Sequence, residues 1–424
     1  MESNNNFNAK NMESTSQNSK NSNIDCHDFA TQSPSMTNNK DSKKLPNSIT
    51  FTPQKYRNFI LIILLFPLPF FAIIATLLYL YDPMQVWHKP FWREPTFFSA
   101  ANNRAQAKGI IDYYDFDSLM LGSSFLFKSS EALADSLLGG KWLNISTGGL
   151  GLPEKSTILD YALRKKGLKA TLISIEWFYV ALGSSEKIAY LYDESAANNI
   201  KLYLNPRFVW CAITWSKSSD CIGDSKTHLN RQYARSPEPK IDALQGAKEW
   251  LKRNKNDRIM PKLLDYEKYP FVLKKREFDA AKIKRHNDYL EKYIFCLARA
   301  YPATRFYLVL PPHTRLTYRL MDEVEDFYEW GEVLKMLVLK ASKLENMKVY
   351  GFDDMDFPDN LGNYHDLTHF NSWMNDYEIE SIANNLHILT PQNIDKYIEI
   401  TESKIRNYDM ETLRKLYSET QKER

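Results

Sequence analysis

The chain has 424 residues, enough for a sizeable core and, by length, for two or three units. Its 55 Lys and Arg nearly balance 52 Asp and Glu, a net charge of +3, and no basic run with interleaved aromatics occurs, which argues against nucleic acid as a partner. Cys26, Cys211, Cys221 and Cys296 fit neither a disulfide scaffold nor a zinc ribbon; Cys211 and Cys221 can bridge in an oxidising compartment or be small buried thiols.

Residues 1–56 are rich in Asn, Ser and Lys and poor in large apolar groups. Such a segment buries too little surface to offset its chain entropy and reads as a disordered cytoplasmic N-terminal segment. Phe59 to Tyr81, FILIILLFPLPFFAIIATLLYLY, then runs without a charge. That is long enough to cross a hydrocarbon core, which takes about 20 apolar residues. Pro67 and Pro69 should kink the helix, a distortion better tolerated in lipid than in water. Lys40, Lys43, Lys44, Lys55 and Arg57 precede the span with no acid after Asp41, so the N-terminal side should stay cytoplasmic. A cleaved signal peptide fits less well, because the polar leader is long and no small-x-small site follows. The expectation is a single-pass signal anchor over 59–81 in the cell inner membrane, a linker over 82–109, and a periplasmic or otherwise extracytoplasmic domain over 110–392.

Strands and helices alternate from Ile110. DSLMLGSS (Asp117 to Ser124) reads as a buried strand meeting a turn, and SSEALADSLLGG as a helix stopped by Gly-Gly. KWLNIS is a second strand, STGGLG a loop, PEKSTILDYALRKKG a helix and ATLISIEWF a third strand. Residues 179–280 break this rhythm and read as a mostly helical insertion over the strand ends. Phe278 to Tyr301 is an amphipathic helix, TRFYLVLPP a fourth strand, Tyr318 to Leu344 a helix and MKVYGFDD a fifth strand. Asn371 or Ser372 caps a closing helix, and residues 393–424 form a charged, exposed helix. The alternation implies an α/β domain with a parallel sheet and flanking helices, preceded by one transmembrane helix.

Ligands of an open parallel sheet bind at the carboxyl ends of its strands. LGSS, NISTGG, LPPH and HDLTHF all fall on that edge. HDLTHF (His365 to Phe370) admits two readings: His365 and His369 as helical metal ligands, or Asp366 holding His369. The helix cap lies after Phe370 and no third ligand is evident, which favours the second reading and no metal. A serine nucleophile needs a base, and the base needs an orienting group. Ser123 or Ser124 offers the hydroxyl, His369 the base and Asp366 the orienter. Backbone N–H groups of the serine turn and of Gly148 or Gly149 would make an oxyanion hole. The bland alternatives are that Ser124 is a small turn residue capping the helix of Glu131, and that Asp366 caps a helix beside a surface histidine.

LGSS, NISTGG and DLTH in this order resemble the SGNH (GDSL-like) hydrolase superfamily. The likeness is nearest to its membrane-anchored bacterial branch, which includes the D-alanyl transfer protein of teichoic acid and the alginate O-acetylation proteins. The resemblance spans about Asp117 to Leu386 and implies a flavodoxin-like SGNH-type sheet. It places the nucleophile on Ser124, oxyanion donors on Ser124 and Gly149, and the Asp-x-x-His on Asp366 and His369. Ser123, Asn144, Glu176, His313 and His365 are the further pocket candidates. Glu176 could equally pair a basic residue, and His313 could merely cap the next segment. The third-block Gly-x-Asn of the superfamily is replaced here by ISIEWF, with Glu176 near its place, which points toward transfer or a non-catalytic role. The resemblance implies O-acyl transfer or deacylation on an envelope glycan, with an acyl donor, no diffusible cofactor and often a multi-span acyl exporter as neighbour. A non-catalytic glycan-binding or assembly component that keeps the fold is the alternative.

Overall fold

The computed structural model describes residues 53–98, 101–176, 188–193, 195–223, 243–268, 280–320 and 327–422. The N-terminal segment before Pro53 and parts of the insertion lie outside the described residues.

Six strands form one sheet: β1 (Ser118–Leu121), β2 (Trp142–Asn144), β3 (Ala170–Ser174), β4 (Arg305–Leu310), β5 (Met347–Gly351) and β6 (Ile388–Leu389). Their order is β2-β1-β3-β4-β5-β6, with β1 to β5 parallel and β6 antiparallel at the edge. The five parallel strands match the sequence reading. β6 was not expected, because two residues carry no periodicity. The chain leaves β1 toward one neighbour and returns past it to β3, so the topological switch lies between β1 and β3.

Side chains of successive strand residues enter different cores, as a period of two requires. Leu119, Leu121, Ile173, Leu308 and Val349 belong to one hydrophobic cluster, Met120, Leu172, Val309 and Tyr350 to another. The sheet is therefore covered on both faces, which is why its strands read as continuous apolar runs. The first core takes Ile110 and Ile111 of the helix Ala101–Tyr113, Ile158 and Leu159 of Leu152–Lys166, and Val333 and Leu337 of Phe327–Ala341. The second takes Ala134 of Glu131–Leu138 and Met374, Ile379 and Ile382 of Ser372–Asn384. The helix of Glu131 is capped by Ser130, whose Oγ accepts from Leu133 N–H, so Ser124 is not its cap.

Three boundaries differ from the sequence reading. Residues 82–109 are no linker: Met84, Val86, Phe97 and Phe98 are buried in the first core and the helix Ala101–Tyr113 starts within the segment. The tail is two helices, Ile394–Arg406 and Met410–Lys422, rather than one exposed helix. Their charges occupy one face while Ile394, Tyr397 and Ile405, then Met410, Leu413 and Tyr417, are buried. The insertion serves two places. Its helix Ala243–Arg253 packs on the tail helix Met410–Lys422, whereas Pro206–Thr214 packs on the apolar helix Leu68–Tyr81. That apolar stretch is helical from Pro53, inside the segment expected to be disordered, and breaks between Leu65 and Leu68 at Pro67. Tyr56 to Tyr81 is long and apolar enough to cross a membrane.

Candidate active site

β1 ends at Leu121, and Gly122 lets the chain turn close over β3. A Cβ there would sit 2.6 Å from Ser174 Oγ and 2.7 Å from Leu126 Cγ, so no side chain fits. Ser123 precedes a 3₁₀ turn, Ser124–Leu126, and its Oγ accepts from Phe125 N–H. Asn144, at the end of β2, braces this turn from below, donating Nδ2–H to Leu126 O at 2.8 Å and to Ser129 O at 3.1 Å. Ser124 thus opens the turn, at the position where N–H groups lack a partner within the turn.

Across the edge, HDLTHF forms a tight loop. His365 N–H donates to His369 O at 2.7 Å, and Tyr364 and Phe370 bridge antiparallel. The segment is not helical, so the helical spacing of His365 and His369 is never realised. Asp366 Oδ1 accepts from the N–H groups of Thr368 and His369, both at 2.7 Å, and Oδ2 accepts from His369 Nδ1 at 2.7 Å. A carboxylate only accepts, so Nδ1 carries the proton and Nε2 is left as an acceptor. Nε2 lies 2.7 Å from Ser124 Oγ, within the reach a base needs. Ser124, His369 and Asp366, 245 residues apart in the chain at their widest contact, form one hydrogen-bonded relay. Burial works to raise the Asp366 carboxyl, but His369 and the two N–H groups outweigh it and hold it below the usual aspartate value.

The relay opens on a cavity of about 300 Å³ walled by Phe125, Phe127, Phe370, Lys128, His365 and Asn375. His365 is placed as expected, beside the site, with Lys128 Nζ donating to its Nε2 at 2.9 Å. Lys128, Phe127 and Asn375 were missed from the sequence. Asn375 donates to Phe125 O at 2.6 Å and so ties the closing helix to the serine turn. Only its position soon after His369 hinted at this.

The other pocket candidates are elsewhere. Gly149, the expected second oxyanion donor, sits in an exposed turn at φ +67° beside Arg104 and is not among the residues that wall this cavity. Asn144 is buried beneath the turn, as above. His313 is buried behind Phe125, ring centroids 5.2 Å apart and edge-on, and its backbone N–H donates to Asp353 Oδ1 at 2.9 Å. Burial pulls its imidazole down to about 4. Glu176 and Ser123 face inward together: Glu176 Oε1 accepts from Ser123 Oγ at 2.6 Å and from Ser174 Oγ, while Oε2 accepts from Lys155 Nζ at 2.6 Å. Lys155 also donates to Ser174 O at 2.7 Å. Glu176 therefore pairs a basic residue, one of the two roles its position allowed. Burial lowers the Lys155 ammonium, while Glu176 opposes that shift.

The loop is buttressed by a third core that sequence reasoning did not foresee. Leu367 and Leu361 join Trp250 and Leu251 of the insertion and Met410 and Leu413 of the tail. Thr317 Oγ1 donates to Leu367 O at 2.6 Å and Asn254 Nδ2 to His365 O at 3.1 Å. Insertion and tail thereby hold the imidazole's loop in place.

Compared with known proteins, the chain matches no family model and no curated protein.

Proposed function

We propose that this chain is a membrane-anchored, SGNH-like serine esterase or O-acyltransferase acting on an acyl ester of an envelope glycan. The observation that carries the reading is the Ser124–His369–Asp366 relay, aligned at 2.7 Å per contact on the carboxyl edge of a parallel sheet. The order 2-1-3-4-5 of the parallel strands is the flavodoxin-like one, in keeping with the resemblance. Ser124 Oγ attacks the acyl carbonyl carbon while His369 Nε2 takes its proton; the carbonyl π electrons move to oxygen, next to Ser124 N–H. Collapse breaks the bond to the leaving alkoxide, which receives the proton from His369. Water or a sugar hydroxyl then gives its proton to His369 and attacks the acyl carbon; collapse breaks the bond to Ser124 Oγ, which takes the proton back from His369. Asp366, ionised, stabilises the imidazolium formed in each half. The apolar walls suit a short acyl group, and Lys128 gives the rim a positive charge. The length and apolarity of Tyr56–Tyr81 support attachment to a membrane, and the bridge between Cys211 and Cys221, Cα atoms 5.6 Å apart, suits an oxidising compartment beyond it.

A serine-directed fluorophosphonate tests the reading. The full chain should be labelled at Ser124, and Ser124→Ala should abolish labelling. Absence of labelling in the wild type, with glycan binding intact, would favour a non-catalytic component that keeps the fold.

A further inference from the structure

The helix Leu68–Tyr81 is not free of the body along its whole length. Ile74, Leu77, Leu78 and Tyr81, spaced i, i+3, i+4, i+7, are the side chains packed against the first core, while Phe70, Phe71, Ile73, Tyr79 and Leu80 stay exposed. The helix Pro206–Thr214 packs on this one. Its inner face buries Phe208, Cys211 and Ala212. Its outer face leaves Trp210 66% and Ile213 51% exposed, and the preceding Leu204 and Ile200 are 75% and 52% exposed. Four large apolar side chains standing in water on one short stretch need a partner.

The position of this stretch tells which partner. A helix rises 1.5 Å per residue, so Ile74 lies about 10 Å back along the span from Tyr81. A helix packed on the last two turns of a membrane span sits at the height of the bilayer edge. The junction is also stiff. The Asp82 carboxylate caps the exit of the span, accepting from the N–H groups of Val86, Trp87 and His88 at 3.1, 2.9 and 3.0 Å and from Tyr203 Oη. Tyr203 ends the helix Ala196–Tyr203, so the exposed stretch is tied to the span by a buried contact. Tyr81 stacks on Trp92, which contacts Trp215 at 5.0 Å between centroids. The Cys211–Cys221 bridge fixes the far end. Tyr and Trp gathered where a span leaves the hydrocarbon are what a membrane interface selects.

We infer that Ala196–Tyr203 and Pro206–Thr214 form a lipid-embedded foot, with Ile200, Leu204, Trp210 and Ile213 in the acyl chains of the leaflet the span exits. An amphipathic segment of this kind lies in the interface plane with its apolar side sunk about 5–10 Å. Span and foot together would give the domain two points of attachment and so fix its orientation on the bilayer, which a single flexible anchor does not. The inference rests on the reading of Tyr56–Tyr81 as a membrane span.

The test is photolabelling of the full chain in phosphatidylcholine–phosphatidylglycerol nanodiscs whose lipids carry a diazirine near the end of one acyl chain, with adducts mapped by mass spectrometry. Adducts at Leu204, Trp210 and Ile213, as well as in the span, are expected. Replacing the three together with Glu should lower foot adducts at least tenfold relative to span adducts. Adducts confined to the span overturn the foot and leave the span reading standing, and so does a second copy of the chain cross-linked over these residues. Adducts at neither place remove the span reading, and the foot falls with it.

Discussion

Two adjacent serines on one turn point to opposite sides of it, and the surroundings of each decide what it can do. Ser124 faces His369 and Asp366, whose side chains keep 43% and 40% of their exposure. Ser123 faces Glu176 and Lys155, which keep 2% and 1%. Each serine thus has a carboxylate and a nitrogen base in reach through hydrogen bonds. In the buried set both carboxylate oxygens accept and the ammonium donates to Glu176 and Ser174, so no group is left to take a substrate's proton. In the open set Nε2 accepts from a hydroxyl that borders a cavity. Burial, rather than residue type, separates a relay from a brace.

The sharpest way to break this contrast is to delete each hydroxyl in turn. Ser124→Ala should abolish hydrolysis of p-nitrophenyl acetate, a loss of about 10⁶ in kcat if the relay works as a unit. Ser123→Ala should lower stability instead, with fluorophosphonate labelling retained. The reverse pattern would exchange the two assignments. Next in size, Asp366→Asn should cost about 10⁴ in kcat, because the amide leaves His369 in the wrong tautomer. An effect below tenfold would show that the carboxylate is only a loop cap.

The brace can be broken from its other end. Lys155→Met leaves the Glu176 carboxyl group without its cationic partner in a site from which water is excluded, and should destabilise the protein by about 3–5 kcal/mol in denaturant titration. Lys155→Met combined with Glu176→Leu should recover part of that loss, since it removes the stranded carboxyl group. If the double variant is as unstable as the sum of the two single changes, the pair is not acting as a unit.

Much of the open set was legible in the sequence and little of the buried one. Strands ending in LGSS and followed by HDLTHF put their polar residues on one edge by topology alone, and a three-residue Asp-to-His spacing closes a local hydrogen bond. The five parallel strands were legible for the same reason: both faces are covered, so each reads as an apolar run. Lys155 and Glu176 gave no such signal. Lys155 lies within PEKSTILDYALRKKG, where a lysine reads as a solvated helix residue, and only the approach of that helix to the end of β3 buries it. The third core was invisible because Trp250, Leu367 and Met410 are long-range partners without a shared period. The role of Gly149 was less legible, because spacing from Asn144 fixes its place in a loop but not the direction the loop takes.

His313 lies between the two sets, edge-on to Phe125 of the serine turn and within the field of Glu176, and its titration offers the smallest of these tests. Burial lowers its imidazole from 6.5 to about 4, and Glu176 opposes that shift. A base with a depressed folded pKa contributes stability that is present above pH 6.5 and lost as pH falls through 4. The full difference is about 3 kcal/mol at one pKa unit per 1.36 kcal/mol, an upper figure because local opening lets water in. Asp353, which accepts from the backbone N–H of His313, runs the other way: burial raises its carboxyl from 3.8 to about 6, so its contribution is present below pH 4 and lost as pH rises through 6. The two slopes overlap in the wild type, so the informative quantity is the difference between wild type and His313→Gln. Stability of the wild type relative to the variant should fall between pH 6.5 and 4, by no more than about 3 kcal/mol. A flat difference would mean that His313 reaches water, and with it that the wall between relay and brace is open.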